Sequence, residues 1–135
     1  MTLEDGELRQ LLLEHFEDLE ELEILARFHE RGPGMWNEAE VAAMTQFPLA
    51  STREALRRLA ARGLLEPGAT APPVYRLSMP DAAIHEALTG VIAVYRSEPL
   101  KVIGIMTTHA IQKVRTAAIT TFAECFRIGG PKSHG

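Results

Sequence analysis

The chain has 135 residues and a net charge of −4, and its 46% hydrophobic and 24% charged residues are typical of a small globular domain. Its single cysteine, Cys125, excludes an intramolecular disulfide and any Cys-x-x-C zinc or redox motif. No apolar run reaches the roughly 18 residues that a membrane span requires, and the first residues carry no export signal. We therefore expect a cytoplasmic protein.

The charge is distributed unevenly along the chain. Residues 1–30 carry ten acidic side chains against two arginines, a net charge of −8, which leaves +4 on residues 31–135. Such a split is typical of an acidic face that points away from an anionic partner, or of one that docks a basic protein. A solvated helix without a binding role has the same composition, and the sequence leaves these interpretations open.

The first part of the chain shows helical periodicity. Between residues 7 and 30, apolar residues recur at steps of three and four without Gly or Pro, which predicts one long N-terminal helix. The sequence Gly-Pro-Gly at 32–34 ends this helix. Asn37 followed three residues later by Glu40 has the spacing of a capping box, so we expect a short helix over about residues 37–45.

A third helix is predicted from Ser51 or Thr52 to Arg62, and Gly63 suits its end because glycine adopts positive φ at low cost. After this helix, residues 64–66 are predicted to form a first short strand.

A second short strand is predicted at residues 74–77, and the turn-rich segment 67–73 joins the two strands into a β-hairpin. Helix, short helix, helix and hairpin follow one another as in a winged helix-turn-helix. The expected fold class is therefore mainly α with a small β-hairpin (α+β). In residues 1–79, a long N-terminal helix leads into the winged helix.

Residues 80–128 are predicted to form a C-terminal helical extension. A first helix opens at Pro80-Asp81 and runs to about Arg96. Residues 101–106 are apolar and β-branched, so periodicity leaves a strand and the buried start of a helix equally open. The tail, residues 129–135, is expected to be disordered.

The last predicted helix, residues 108–127, carries a long apolar stripe. Its members are Ile111, Val114, Ala118, Ile119, Phe122 and Phe126. A small monomer does not leave a stripe of this length in water. We expect it either to pack on the domain or to form a dimer interface.

The third predicted helix has two different faces. Positions at steps of three and four predict a core-facing side of Thr52, Leu56, Leu59 and Ala60. The opposite side would then present Arg53, Glu54, Arg57, Arg58 and Arg62 to solvent. Arginine neutralises phosphates and bridges guanine O6 and N7 in the major groove, which admits an α-helix. Arginine is also a strong helix former that is common on solvated faces.

The N-terminal residues of a groove-reading helix lie closest to the bases. That rule places Ser51, Thr52, Arg53 and Arg57 nearest the base edges. Arg58 and Arg62 then lie nearer the backbone, and Arg76 on the hairpin holds a further phosphate.

The segment STREALRRLAARGLLE, residues 51–66, resembles the recognition-helix segment of bacterial GntR-type regulators, in which T-V-R-x-A-L-x-x-L-x-x-x-G-L recurs. The matching positions are Ser51, Thr52, Arg53, Ala55, Leu56, Leu59, Gly63 and Leu64. The segment is similar in less detail to MarR-like winged helices, and in outline the match covers residues 24–77. The resemblance implies a transcriptional regulator that binds operator DNA as a homodimer, with dimer contacts from the first helix, the last helix or both.

The hairpin departs from the GntR-type pattern, because its tip EPGATAPP contains no Lys or Arg and Arg76 is its only basic residue. This neutral wing, the acidic net charge and the acidic N-terminal helix favour an alternative function. In that alternative the chain is a winged-helix adaptor or regulatory subunit that binds a protein through the acidic helix and does not bind DNA. A small-molecule sensor, with its pocket between the winged helix and the C-terminal helices, is a third hypothesis.

Catalytic and metal-binding motifs are missing from the sequence. The histidines, scattered without ligand spacing, are His15, His29, His85, His109 and His134. There is no glycine-rich phosphate loop, nucleophile elbow or Cys-His pairing. We therefore expect a protein that is not an enzyme and that holds no metal or cofactor.

Overall fold

The structure, a computed structural model, describes residues 3–78 and 81–129, apart from the side chains of Lys113, Ala117 and residues 119–129. Within these residues the elements, in chain order, are α1 (Asp5–His15), α2 (Leu19–Arg31), β1 (Trp36–Asn37), α3 (Glu38–Thr45), α4 (Leu49–Ala61), β2 (Leu65–Pro67), β3 (Val74–Leu77), α5 (Ala82–Ser97) and α6 (Pro99–Gly129). The chain is mainly helical with one small antiparallel sheet, which confirms the α+β class.

The N-terminal segment forms two helices, so the prediction of one long helix over residues 7–30 is wrong. The carboxylate of Asp18 accepts the Glu21 N–H at 3.0 Å, and the carboxylate of Glu21 accepts the Glu17 N–H at 2.8 Å. Side-chain acceptors of this kind compete with helical backbone hydrogen bonds. They break the helix at Phe16, which is extended and buried, although the apolar periodicity continues through the break.

The sheet has the strand order β1-β3-β2, and both of its strand pairs are antiparallel. The predicted hairpin is present, with β3 where it was expected and β2 shifted by one residue toward the C-terminus. The sequence did not predict β1, because a two-residue strand shows no alternation. Trp36 of β1 pairs with Tyr75 of β3, so the connection between α2 and α3 is tied to the hairpin.

Helices α3 and α4 begin and end at signals that are visible in the sequence. The Asn37 side chain accepts the Glu40 N–H and the Glu40 carboxylate accepts the Asn37 N–H, both at 2.8 Å, which confirms the capping box. Helix α4 begins two residues earlier than predicted, because the Pro48 carbonyl already accepts its first helical hydrogen bond. Gly63, with φ +82°, follows the helix as expected.

The C-terminal part consists of α5, capped by Asp81, and the long helix α6. Residues 101–106 belong to α6, which decides between the strand and the helix start in favour of the helix. Gly129 ends α6, and the remainder of the predicted disordered tail, residues 130–135, is outside the described residues. In the part of the chain that the structure describes, no helix is both long and apolar enough to cross a bilayer.

One apolar core connects the N-terminal and C-terminal helices. Buried members of this core are Leu8, Leu12, Leu22, Leu25, Phe28, Leu56, Leu59, Leu88, Val91, Val102 and Met106. Helix α2 contacts α3, α4 and α5, so it lies at the centre of the arrangement. Helix α4 is mounted on this core by one face, and that mounting decides which of its side chains are accessible.

Candidate nucleic-acid interface on helix α4

Helix α4 is fixed to the core through four completely buried side chains, Thr52, Ala55, Leu56 and Leu59. The predicted core positions are confirmed except for Ala60, which is only partly buried. At 100° per residue, the side directly opposite carries Ala50, Glu54, Arg57 and Ala61, and all four are exposed. The accessible face of α4 is therefore built of small residues and two opposite charges.

Arg53 and Arg57 lie on the accessible part of α4. The Arg53 side chain is 43% exposed, and its Nε is 3.0 Å from Oε1 of Glu38 on α3. The Arg57 side chain is 61% exposed, and its Nη1 is 3.5 Å from Oε2 of Glu54. The Glu54 side chain is equally exposed, and an ion pair exposed on both sides contributes only about 0–1 kcal/mol. A phosphate or a base edge can therefore replace Glu54 at little cost, whereas the Glu38 side chain is only 13% exposed and holds Arg53 more firmly.

Arg58 of α4 and Arg62, the C-cap residue of that helix, project from another side of it, toward α2. Both guanidinium groups bind the carboxylate of Glu21, which is completely buried, and Arg58 also lies 3.2 Å from Oδ2 of Asp18. Hydrogen bonding to Glu21 raises the pKa of Arg58. Their side chains keep 35% and 28% exposure, but both are held against Glu21 and do not project freely into solvent as the sequence predicts. They are four residues apart on the same side of the helix, and that side meets a buried carboxylate.

Ser51 and Thr52 differ although they are neighbours. Thr52 is completely buried on the core-facing side, so its side chain cannot reach a base, which corrects the prediction that placed it nearest the bases. Ser51 is half-buried, with its Oγ 3.0 Å from Oε2 of Glu20 and 3.1 Å from the Pro48 carbonyl oxygen. The Ser51 hydroxyl therefore ties the start of α4 to α2.

Arg76 lies on β3, outside α4. Its Nε donates to Oε1 of Glu66 on β2 at 2.6 Å, and both side chains are exposed. The seven predicted DNA-contacting residues thus form three groups. Arg53, Arg57 and Arg76 are accessible and paired with the mostly buried Glu38 and the exposed Glu54 and Glu66. Arg58 and Arg62 bind Glu21, and Ser51 and Thr52 are engaged at the start of α4.

The acidic residues of α2 mostly bind cations and donors of other helices. Glu23 accepts from Arg27 and from the Tyr95 hydroxyl, both at 2.6 Å, and from Arg96 at 3.2 Å, while Arg96 also binds Glu30. Burial by itself raises the pKa of Glu23, but the hydrogen bonds from Arg27, Tyr95 and Arg96 outweigh it and lower that pKa. Burial, followed by the hydrogen bond to Glu23, raises the pKa of Tyr95 to about 12. Much of the acidity expected on a docking surface thus stabilises the contact between α2 and α5.

A pocket of about 580 Å³ lies beside α2, β3 and α5, where the sensor hypothesis expects one. His29, His85 and Arg76 are the polar side chains on its wall, and the two imidazole centroids are 6.4 Å apart. The Thr89 hydroxyl oxygen is 3.4 Å from Nε2 of His29. Among the residues that the structure describes, no group of three or more His, Cys, Asp or Glu side chains is placed to hold a metal ion.

No family profile and no curated protein matches the sequence.

Proposed function

We propose that the protein is a winged-helix transcriptional regulator that binds double-stranded DNA as a homodimer, with α4 in the major groove. The element order α2, β1, α3, α4, β2, β3 and the strand order β1-β3-β2 support this assignment, with the β2–β3 connection as the wing. The observation that carries the proposal is the mounting of α4. Its buried face fixes the helix, while Arg53 and Arg57 stay exposed along its accessible side, as in a helix that enters the groove.

The arginines have different roles in this proposal. Arg53 and Arg57 contact base edges or phosphates, and Arg76 holds a phosphate from the hairpin. Arg58 and Arg62 hold α4 on α2 through Glu21, so they position the helix in place of the backbone contact that the sequence suggested.

A protein-binding adaptor is the second candidate, and one observation favours it specifically. Each arginine of α4 already has an acidic partner within the chain, so the helix is nearly neutral as a surface. The segment 67–73 at the tip of the hairpin adds no Lys or Arg. Such a surface attracts DNA less strongly than the arginine count suggests, because each phosphate contact must first release an acid.

Selection of random duplexes by the purified protein tests the proposal, because it measures binding and sequence preference together. We expect an enriched motif, and an affinity for it that falls steeply as salt rises. The variant R53A/R57A should bind the selected duplex at least about tenfold more weakly and with a shallower salt dependence, since two contacts are lost.

The matched control is R9A/K101A, which removes the same two charges from α1 and α6 and should bind as the parent does. If R53A/R57A binds like this control, the groove assignment of α4 is wrong. If the parent binds no duplex even at low salt, DNA binding itself is wrong and the adaptor is favoured.

A further inference from the structure

The accessible face of helix α4 carries an acidic residue near its centre. Ala50, Glu54, Arg57 and Ala61 lie along this face, directly opposite the buried one. The Glu54 and Arg57 side chains are each 61% exposed, and Oε2 of Glu54 is 3.5 Å from Nη1 of Arg57. Among the described residues, Arg57 is the one ion-pairing partner of Glu54. Glu54 is therefore free to act on whatever binds this face.

The residues on either side of this charged pair are small. Ala50 lies one helical turn before Glu54, and Ala61 lies one turn after Arg57, so no long side chain on this line of the helix holds it away from a base edge. Glu54 and Arg57 are about 4.5 Å apart along the helix axis, which is close to the spacing of about 3.4 Å between neighbouring base pairs. The two side chains can therefore reach two consecutive base pairs, one each.

A carboxylate in the major groove is selective, because few groups there can bind it. The groove is about 12 Å wide and is bordered by phosphates, which repel Glu54 whatever the sequence. The hydrogen-bond donors that bases present in it are N4 of cytosine and N6 of adenine. The adenine amino group lies beside the N7 acceptor of the same base, which repels a carboxylate, whereas cytosine presents no acceptor there. Cytosine is therefore the base that best offsets the repulsion of Glu54 by the phosphates.

We propose that Glu54 is a specificity-determining residue of the DNA interface, which accepts a hydrogen bond from N4 of a cytosine. Arg57 donates to O6 and N7 of a guanine in the neighbouring base pair. The ion pair between these two side chains is exposed on both sides, so it is exchanged for the base contacts at little cost. The preferred binding site then contains two consecutive G·C pairs. The assignment of Glu54 rests on the proposed function, because it requires α4 to lie in the major groove.

The first test compares the motifs that the parent, E54A and E54Q enrich from random duplexes. We expect the parent to enrich two consecutive G·C pairs. E54Q should change the cytosine position alone to adenine, because a glutamine amide pairs with N6 and N7 of adenine, and E54A should lose the preference at that position. The control E14A removes the same charge from an exposed position of α1 and should enrich the parent's motif.

The possible outcomes separate the role of Glu54 from the proposed function. If E54A and E54Q enrich the parent's motif at every position, Glu54 does not read a base, while R53A/R57A still decides whether α4 lies in the groove. If the parent enriches no motif, DNA reading by α4 and the role of Glu54 are both wrong.

The second test measures the affinity of the parent and of E54A for the selected duplex and for the three duplexes that differ only at the cytosine position. The parent should bind about tenfold more weakly when guanine or thymine replaces the cytosine, whereas the four affinities of E54A should agree within about twofold. E54A should also bind the guanine and thymine duplexes more tightly than the parent does, because the repulsion between Glu54 and the phosphates is gone. Parent and E54A proteins that lose the same factor at this position would overturn the assignment.

Discussion

Helix α4 carries two pairs of arginines whose surroundings differ sharply. Arg53 and Arg57 are the more exposed pair, and the Glu54 partner of Arg57 is exposed as well. Arg58 and Arg62 share a glutamate with no exposed surface at all. The same residue type, within ten positions of one helix, is thus available for a ligand on one side and committed to the fold on the other. The burial of the carboxylate, and not the exposure of the arginine, decides between these roles.

Removing Arg58 and Arg62 should have the largest effect on the free energy of unfolding. Among the described residues, the variant R58A/R62A leaves the buried Glu21 carboxylate with the Glu17 N–H as its one hydrogen-bond donor. An uncompensated buried charge costs about 3–5 kcal/mol, so the free energy of unfolding should fall by that amount in urea titrations. R53A/R57A is the matched control, because it also removes two arginines from α4.

Adding E21Q to R58A/R62A sharpens the same comparison. The neutral amide removes the buried charge, so this triple variant should recover more than half of the lost free energy of unfolding. An R58A/R62A protein as stable as R53A/R57A would show that Glu21 does not need its arginines, and the two pairs would then be equivalent.

Removing the hydrogen bond between Tyr95 and Glu23 of α2 should lower the free energy of unfolding by a smaller amount. Y95F removes the hydroxyl that donates to Glu23 at 2.6 Å, and we expect a loss of about 1–2 kcal/mol in the free energy of unfolding at neutral pH. The pKa of Tyr95 is raised to about 12 in the folded protein, above its usual value near 10. The stabilisation is therefore complete below pH 10 and disappears as the pH rises from 10 to 12.

Urea titrations of parent and Y95F across this alkaline range check the assignment. The difference between the two proteins should shrink toward pH 12. Burial also raises the pKa of Tyr75, but Tyr75 is present in both proteins and cancels in the difference. A difference that stays constant from neutral pH to pH 12 would mean that the hydroxyl is not what stabilises the α2–α5 contact.

Thr52 lies on the core-facing side of α4, and its hydroxyl has no hydrogen-bond partner among the described residues. T52V keeps the β-branched shape and removes a buried polar atom, so the free energy of unfolding should rise by about 1 kcal/mol. T45V is the matched control and should instead lose stability, because the Thr45 hydroxyl donates to the Val41 carbonyl at 2.9 Å. Since Thr52 is out of reach of DNA, T52V should bind the selected duplex as the parent does, and a weakened affinity would return Thr52 to the DNA surface.

Replacing Arg53 and Arg57 should have the smallest effect on the free energy of unfolding. R53A/R57A should change the free energy of unfolding by only about 1 kcal/mol, since both arginines are exposed and neither partner carboxylate is completely buried. Its circular dichroism should match that of the parent, which keeps any loss of duplex binding interpretable. A loss comparable with that of R58A/R62A would place all four arginines in the fold and would favour the adaptor.

Local signals made part of the fold predictable. Asn37 and Glu40 form the expected capping box, Gly63 adopts positive φ, and residues 74–77 form the expected strand. Asp18 and Glu21 have a capping spacing as well, but the uninterrupted apolar periodicity of residues 7–30 concealed it. A capping pair is thus informative even inside a continuous apolar pattern.

Long-range contacts are the part of the candidate site that could not be predicted from the sequence. The spacing of Leu56 and Leu59 correctly gives the buried side of α4, but it does not show what lies beside that side. Glu21 is 37 and 41 residues away from the two arginines that it binds, and no local pattern encodes such a pairing. The sequence therefore presents the acidic N-terminal segment and the basic α4 as two separate surfaces, although they form one contact.

Trp36 gives the molecule a fluorescent reporter that needs no label. It is the only tryptophan in the chain, it joins β1 to β3, and the Arg31 guanidinium lies 4.7 Å from its ring centroid. A stacked cation and a buried indole nitrogen make its emission sensitive to any movement of the sheet relative to α2. Because Trp36 does not belong to α4, a change in its emission during a DNA titration would record motion of the hairpin, separately from contact between α4 and the DNA.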